Sequence, residues 1–156
     1  MISRTGTHAL KALAALQRLP AGSFVGAGQI ARQIHAPSNY LGKLLRQLAH
    51  AGIVVGRKGS NGGFRLAGDP HSLSLFDALG PIEHFDRYKV CLLGKPKCVS
   101  SDPCLLHDAW ARVRDQYLDF LKITMLSDVS RDNPSKSRRK SGPNERAARS
   151  AAGGVR

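Results

Sequence analysis

Acidic residues are missing from the amino-terminal part of this chain. The first 68 residues contain nine Lys or Arg and no Asp or Glu. Residues 69–130 are close to neutral, with seven basic and nine acidic side chains, and residues 131–156 carry eight basic against two acidic. The whole chain has a formal net charge of +13. This distribution favours a polyanionic partner, above all nucleic acid, over ordinary solubilising charge.

Long apolar runs and disulfide-forming cysteines are also lacking. No apolar stretch approaches the ~20 residues that cross a bilayer and no signal-peptide core follows Met1, so we expect a cytoplasmic protein. The 156 residues make about one domain, which excludes a large multidomain enzyme. Three cysteines without an export signal argue against a disulfide framework and favour metal binding or thiol chemistry. There is no C-x-x-C motif, thioredoxin-like pattern or nucleotide loop, so we predict that the protein is not an enzyme.

Hydrophobic periodicity predicts three helices in the basic region. The first covers about residues 7–19 and ends before Pro20. A short second helix includes residues 30–34. The third has Ser38 as its N-cap, carries leucine at positions 41, 44, 45 and 48, and ends at Gly52. This leucine stripe predicts one inward face and one polar outer face on the third helix.

A β hairpin should follow the third helix. The predicted strands lie at 53–55 and 64–66, around a glycine-rich turn. Two short helices and a hairpin describe a winged helix-turn-helix, which we assign to residues 1–80 in a mainly α fold. DNA is favoured over RNA, because no exposed aromatic platform is evident. The candidate DNA contacts lie on the third helix and the hairpin: Ser38, Asn39, Tyr40, Lys43, Arg46, Gln47, Arg57, Lys58 and Asn61.

Residues 81–130 are predicted to hold a cysteine loop and then a long helix. Asp102 is a suitable N-cap for that helix and Pro103 a suitable first residue. A heptad seam follows, formed by Leu106, Trp110, Val113, Tyr117, Phe120 and Thr124. A helix of roughly 35 Å is long for a small domain, so we expect its seam to pair with a second subunit, with packing onto its own domain as the alternative. Residues 131–156 have few large apolar side chains and should form a disordered basic tail.

The cysteines form a compact cluster with one histidine. Cys91, Cys98 and Cys104 follow a C-x6-C-x5-C spacing, and His107 comes three positions after the last of them. If the long helix begins at Pro103, then Cys104 and His107 share one face. Wide gaps suit an iron–sulfur cluster better than the tight knuckles of structural zinc, but spacing alone leaves iron–sulfur, zinc and no metal open.

The combined pattern resembles the Rrf2 family of bacterial winged-helix regulators over about residues 1–130. The resemblance is carried by Ser38-Asn39-Tyr40-Leu41, by Leu44 to Leu48 with Ala51-Gly52-Ile53-Val54, and by the run from Arg57 to Leu66. The cysteine spacing with C-x2-H resembles the cluster-binding branch of the family, to which IscR, NsrR and RirA belong.

This resemblance implies a homodimer in which each subunit binds one iron–sulfur cluster near crossed long helices. It implies Cys91, Cys98, Cys104 and His107 as ligands of a [2Fe–2S] cluster. In NsrR-like members a partner supplies the fourth ligand, so His8 of the partner subunit and a [4Fe–4S] cluster form the alternative. The implied function is a cluster-dependent transcriptional repressor that senses nitric oxide, iron or cluster and redox status. A zinc-stabilised or metal-free DNA-binding protein without cluster sensing is the competing interpretation.

Overall fold

The computed structural model describes residues 2–96 and 98–129. The predicted basic tail at 131–156 therefore lies outside the described residues. Six α-helices, one 3-10 helix and a two-stranded antiparallel sheet occur within the described ranges, which confirms the mainly α fold with a small hairpin. In chain order they are α1 (Arg4–Leu16), α2 (Ala27–Ile34), α3 (Ser38–His50), β1 (Val54–Arg57), β2 (Gly63–Leu66), α4 (Leu75–Glu83), the 3-10 helix (Phe85–Lys89), α5 (His107–Ile123) and α6 (Leu126–Val129).

The three predicted amino-terminal helices are present, with shifted ends. Helix α1 begins at Arg4 rather than near residue 7, because the Ser3 hydroxyl accepts a 3.0 Å hydrogen bond from the Gly6 amide and caps the helix. Helix α3 begins at Ser38 itself, and its N-cap is Pro37 rather than the predicted serine. Gly52, at a φ of +76°, follows the end of α3 as expected.

The predicted leucine stripe of α3 forms the centre of the core. Leu41, Leu45 and Leu48 are completely buried, and Leu44 is nearly so. They join one core cluster with fully buried side chains from α1, α4 and α5, including Leu13, Leu79 and Leu121. Each such leucine contributes roughly 1.5–3 kcal/mol by leaving water. The stripe fixes α3 against its neighbours and leaves its polar face outward.

The hairpin pairs Val54 with Leu66 and Arg57 with Gly63. The sequence did not predict a third extended segment, which precedes α2. Val25 and Phe64 exchange backbone hydrogen bonds of 3.1 and 2.8 Å, so the hairpin is attached along one edge to this segment. The attachment restrains the hairpin, which we call the wing (residues 54–66), relative to the helices.

Two helices and the 3-10 segment after the hairpin were not predicted. Helix α4 is capped by Ser74, whose hydroxyl accepts a 3.0 Å bond from the Asp77 amide, and it runs across the predicted division at residue 80. The buried carboxylate of Glu83 at its end accepts bonds of 2.9 Å and 2.7 Å from the amide and hydroxyl of Ser3. These bonds connect the end of α4 to the start of α1. Arg87 in the 3-10 helix forms a 2.8 Å ion pair with the same carboxylate.

The long helix starts later than the sequence predicts. Helix α5 begins at His107 with Leu106 as its N-cap, and Asp102 and Pro103 lie in the preceding turns. The helix has 17 residues and is about 26 Å long, not 35 Å. The prediction that Cys104 and His107 share a helix face was therefore wrong, because Cys104 precedes the helix. Part of the seam packs on its own domain, since Tyr117 contacts the core cluster.

Candidate metal centre and nucleic-acid interface

The four predicted ligands form two close pairs. The sulfurs of Cys91 and Cys104 are 3.4 Å apart, and both residues are free cysteines. The sulfur of Cys98 lies 3.3 Å from Nδ1 of His107. Residues far apart along the loop are thus paired across it, while sequence neighbours are not. Among the residues that the structure describes, no group of three or more Cys, His, Asp or Glu side chains surrounds a single point as one metal ion requires.

His107 is held at the start of α5 by partners on both ring nitrogens. Its ring is buried, and Ser100 Oγ lies 3.4 Å from Nε2, opposite the nitrogen that faces Cys98. The His107 amide donates to the carbonyl of Cys104 at 3.0 Å, which closes the turn leading into the helix. Ser100 was missed at the sequence level, because nothing in its spacing distinguishes it from Ser101.

Positive charge and amide donors surround the thiols. A hydrogen bond from the Leu93 backbone lowers the pKa of the Cys91 thiol against the opposing effect of burial, and Lys95 and Cys104 lower it further. The Lys95 ammonium pairs with Asp102 at 2.7 Å, which joins the two sides of the loop and raises the lysine pKa. These groups favour a thiolate at Cys91, the form in which cysteine binds metals.

Arg114 brings a second cation to the other donor pair. Its guanidinium bonds Asp115 at 2.8 Å, which raises the arginine pKa, and Cys98 adds to that shift. Trp110, one turn earlier in α5, donates from Nε1 to the carbonyl of Val90 at 3.4 Å. The loop is therefore attached to α5 at Val90, just before the first of its cysteines, and Arg114 lies beside the second. Of the lysines near the thiols in sequence, Lys97 lies outside the described residues.

The polar face of α3 and the hairpin tip carry most of the predicted DNA contacts. Side chains on both elements are exposed, as base and phosphate contacts require. The exposed candidates are Ser38, Asn39, Lys43, Arg46, Arg57, Lys58 and Asn61. The structure thus presents cations and amides from two elements without an acidic side chain in the same stretch of sequence.

Three predicted site residues make contacts inside the chain. The exposed amide of Gln47 donates to the carbonyl of Pro81 at 2.9 Å, which directs it toward α4. Tyr40 is half-buried, with its ring edge-on to His8 at a centroid distance of 5.6 Å. The His8 Nδ1 atom is buried and has no hydrogen-bond partner in residues 2–96 and 98–129. His8 thus lies against α3 of its own chain.

One side of α5 leaves large apolar side chains in solvent. Val113, Phe120 and Ile123 are 60%, 52% and 74% exposed. Leu105, just before the helix, is 99% exposed. Such a contiguous apolar face on a helix is typical of a surface that another chain covers. Within the described residues, no helix is long and apolar enough to span a membrane.

Comparison with known proteins gives the family. Residues 2–132 match the Rrf2 family, which is described as iron-dependent transcriptional regulators. A protein of Aquifex aeolicus named as an HTH-type transcriptional regulator is 33% identical over 131 residues, 83% of this chain and 90% of that protein. The regulator IscR of Vibrio campbellii is 30% identical over 95 residues, 61% of this chain and 56% of that protein.

A solved structure supports the same fold. CymR, the global cysteine regulator of Bacillus subtilis, superimposes with a TM-score of 0.70 at 22% identity, over 83% of this chain and 95% of CymR. At that identity the likeness concerns the fold alone. The family match and the Aquifex aeolicus relative show a transcriptional regulator rather than an enzyme. The chain belongs to the Rrf2 family of transcriptional regulators.

Proposed function

We propose that this protein is an iron–sulfur cluster-dependent transcriptional repressor that senses nitric oxide, iron or cluster and redox status. The observation that carries the proposal is the arrangement of three thiols and one imidazole as two close pairs in the loop before α5. Thiolates select soft metals and iron–sulfur clusters, and such a cluster supplies redox and nitric oxide chemistry when bound. The relative from Vibrio campbellii is named as the HTH-type transcriptional regulator IscR, which supports a regulatory role for this chain.

The donor set fits a two-metal centre better than a single ion. A structural zinc takes four ligands around one point, whereas a [2Fe–2S] cluster takes two protein ligands on each iron. Cys91 with Cys104 would hold one iron, and Cys98 with His107 the other. The pairing therefore supports [2Fe–2S] ligation within one chain, with [4Fe–4S] and His8 of the partner subunit as the alternative.

DNA is the proposed partner, bound at promoter operators by α3 and the hairpin. The surface of α3 offers Asn39 and Arg46 for base edges and Lys43 for phosphates, and the hairpin tip adds Lys58. A winged-helix dimer presents two recognition helices about 34 Å apart, one DNA turn. Small rotations between subunits change that spacing and hence affinity.

The exposed face of α5 supports a homodimer that covers Val113, Phe120 and Ile123. The segment that carries the cysteines, residues 90–104, is hydrogen-bonded to the same helix, because Trp110 donates to the carbonyl of Val90, and its Cys98 lies beside Arg114. Binding or loss of the cluster thus changes contacts next to the subunit interface, which gives the effector different contacts in two states. A regulator of this kind acts in the cytoplasm.

Anaerobic purification with visible absorption and iron, sulfide and zinc analysis tests the proposal. We expect a coloured protein with about two irons and two sulfides per chain, as a [2Fe–2S] cluster contains. A colourless protein with stoichiometric zinc would establish the zinc-stabilised alternative. A protein that binds DNA but holds neither metal nor sulfide would establish the metal-free alternative.

A further inference from the structure

Two arginines from the wing stack on one aromatic ring. The guanidinium carbon of Arg57 lies 4.3 Å from the ring centroid of Phe24, and that of Arg65 lies 5.4 Å from the same centroid. Both distances fall within the range of cation–π attraction, which arginine favours. Phe24 belongs to neither the hairpin nor α3, and no motif in the sequence links it to either arginine.

The backbone fixes this ring beside the wing. Val25, the next residue after Phe24, is bonded in both directions to Phe64 of β2. Gly63 makes this approach feasible, because a Cβ there would lie 2.5 Å from the carbonyl carbon of Val25, and its φ of +143° is unfavourable for other residues. Arg57 also donates to the carbonyl of Asn61, so its guanidinium is held from two sides.

We propose that Phe24, Arg57 and Arg65 form a phosphate clamp for the DNA backbone, with Phe24 as its positioning residue. This inference rests on the proposed function, since it assigns two further residues to the same DNA-binding surface. Arg65 contacts a phosphate directly, whereas Phe24 acts through the two guanidinium groups.

The charge arrangement supports an anionic ligand at this place. The two positive charges beside one ring repel each other. The first 68 residues contain no Asp or Glu, so that part of the sequence has no carboxylate to neutralise them. A phosphate group bound beside the two guanidinium groups would reduce that repulsion and accept charge-assisted hydrogen bonds from arginine. The fixed ring lowers the conformational entropy that the two long side chains lose on binding.

Salt-dependent binding to a mixed-sequence DNA duplex of about three helical turns tests the clamp. Each lost phosphate contact lowers the slope of log affinity against log salt by about 0.9. We expect that loss for Arg65→Gln, with Lys122→Gln as a matched control, because Lys122 also faces an aromatic ring, Phe76, at 5.9 Å but lies on α5. Phe24→Leu should weaken binding about two- to fivefold at low salt, and Phe24→Tyr should restore it.

A double-mutant cycle separates positioning from folding. If Phe24 acts through the arginine, the effects of Phe24→Leu and Arg65→Gln on affinity are less than additive. The clamp is overturned if Arg65→Gln has the same salt slope as Lys122→Gln, or if Phe24→Leu binds like the wild type. If Phe24→Leu does not fold, the Arg65→Gln slope decides alone. Failure of the wild-type protein to bind any duplex would instead contradict the proposed function.

Discussion

The sulfur of Cys98 lies 3.3 Å from Nδ1 of His107, while Ser100 Oγ lies 3.4 Å from Nε2 of the same ring. The imidazole is therefore positioned between a candidate ligand and a hydroxyl. In metal sites, a partner on the second ring nitrogen fixes the orientation and tautomer of the histidine. This relationship makes Ser100 part of the proposed centre, although it binds no metal itself.

Replacing Ser100 should weaken the cluster without removing it. For Ser100→Ala we expect about a tenfold loss of cluster affinity, because the ring of His107 loses its outer partner. The matched control is Ser101→Ala, one residue further along the same exposed turn. Anaerobic titration with an iron chelator, followed by visible absorption, measures the difference. Equal cluster loss in both variants would remove Ser100 from the site.

The apolar face of α5 should hold the dimer together. Phe120→Asp places a charge on that face, and we expect the dimer dissociation constant to rise at least about 100-fold. Lys122→Asp puts the same residue on another side of the helix and should leave the dimer intact. Light scattering after gel filtration gives the mass of each variant. A Phe120→Asp variant that remains dimeric would place the subunit interface elsewhere.

The carboxylate of Glu83 should stabilise the fold strongly. Glu83 is 1% exposed; its carboxylate accepts a hydrogen bond from Ser3 and forms an ion pair with Arg87. Glu83→Ala leaves their polar groups unpaired and should lower the free energy of unfolding by about 3 kcal/mol. Asp119→Ala breaks an exposed ion pair with Lys122 and should cost less than about 0.5 kcal/mol. Urea unfolding compares the two, and similar losses would contradict a structural role for Glu83.

The raised pKa of Tyr117 predicts that the folded protein loses stability at high pH. Burial raises its pKa to about 12, and the neighbouring ring of Tyr88, at a centroid distance of 5.5 Å, adds to the shift. The folded chain holds the phenol proton more tightly than the unfolded chain, whose tyrosine titrates near pH 10. The resulting stability is present below pH 10 and is lost as the pH rises toward 12.

Tyr117→Phe provides the comparison for this pH dependence. The variant has no phenol to titrate, so its unfolding free energy should fall less steeply than that of the wild type between pH 10 and 12. Other groups titrate in both proteins and cancel in the difference. Parallel curves over this interval would show that Tyr117 does not carry the effect.

The sequence predicts the parts of the fold that rest on local pattern. The stripe at Leu41, Leu45 and Leu48 predicted which side of α3 is buried. The predicted start of α5 was wrong. Asp102-Pro103 is a typical local signal for a helix start, but in the structure these residues form turns before the helix, and Cys104 lies next to Cys91. Local helix propensity carries no information about contacts between residues this far apart in the sequence.

The candidate site was predictable in composition but not in arrangement. Cys91, Cys98, Cys104 and His107 were identified from their spacing, yet spacing gave no indication of which donor pairs with which. Likewise, no periodicity connects Phe24 to the wing, because backbone pairing at Val25 brings it there. Contacts between distant segments depend on the packed core, which a pattern of residues along one element does not encode.

The DNA affinity of one anaerobic sample, measured before and after the cluster is removed, tests the central claim most directly. Fluorescence anisotropy with a promoter duplex should show a change in affinity of about five- to 150-fold on cluster removal, as allosteric coupling of about one to three kcal/mol gives. Cys98→Ala should remain dimeric and bind with the affinity of the cluster-free protein under both conditions. If the loaded protein, the stripped protein and Cys98→Ala all bind the duplex equally, the cluster does not regulate this protein.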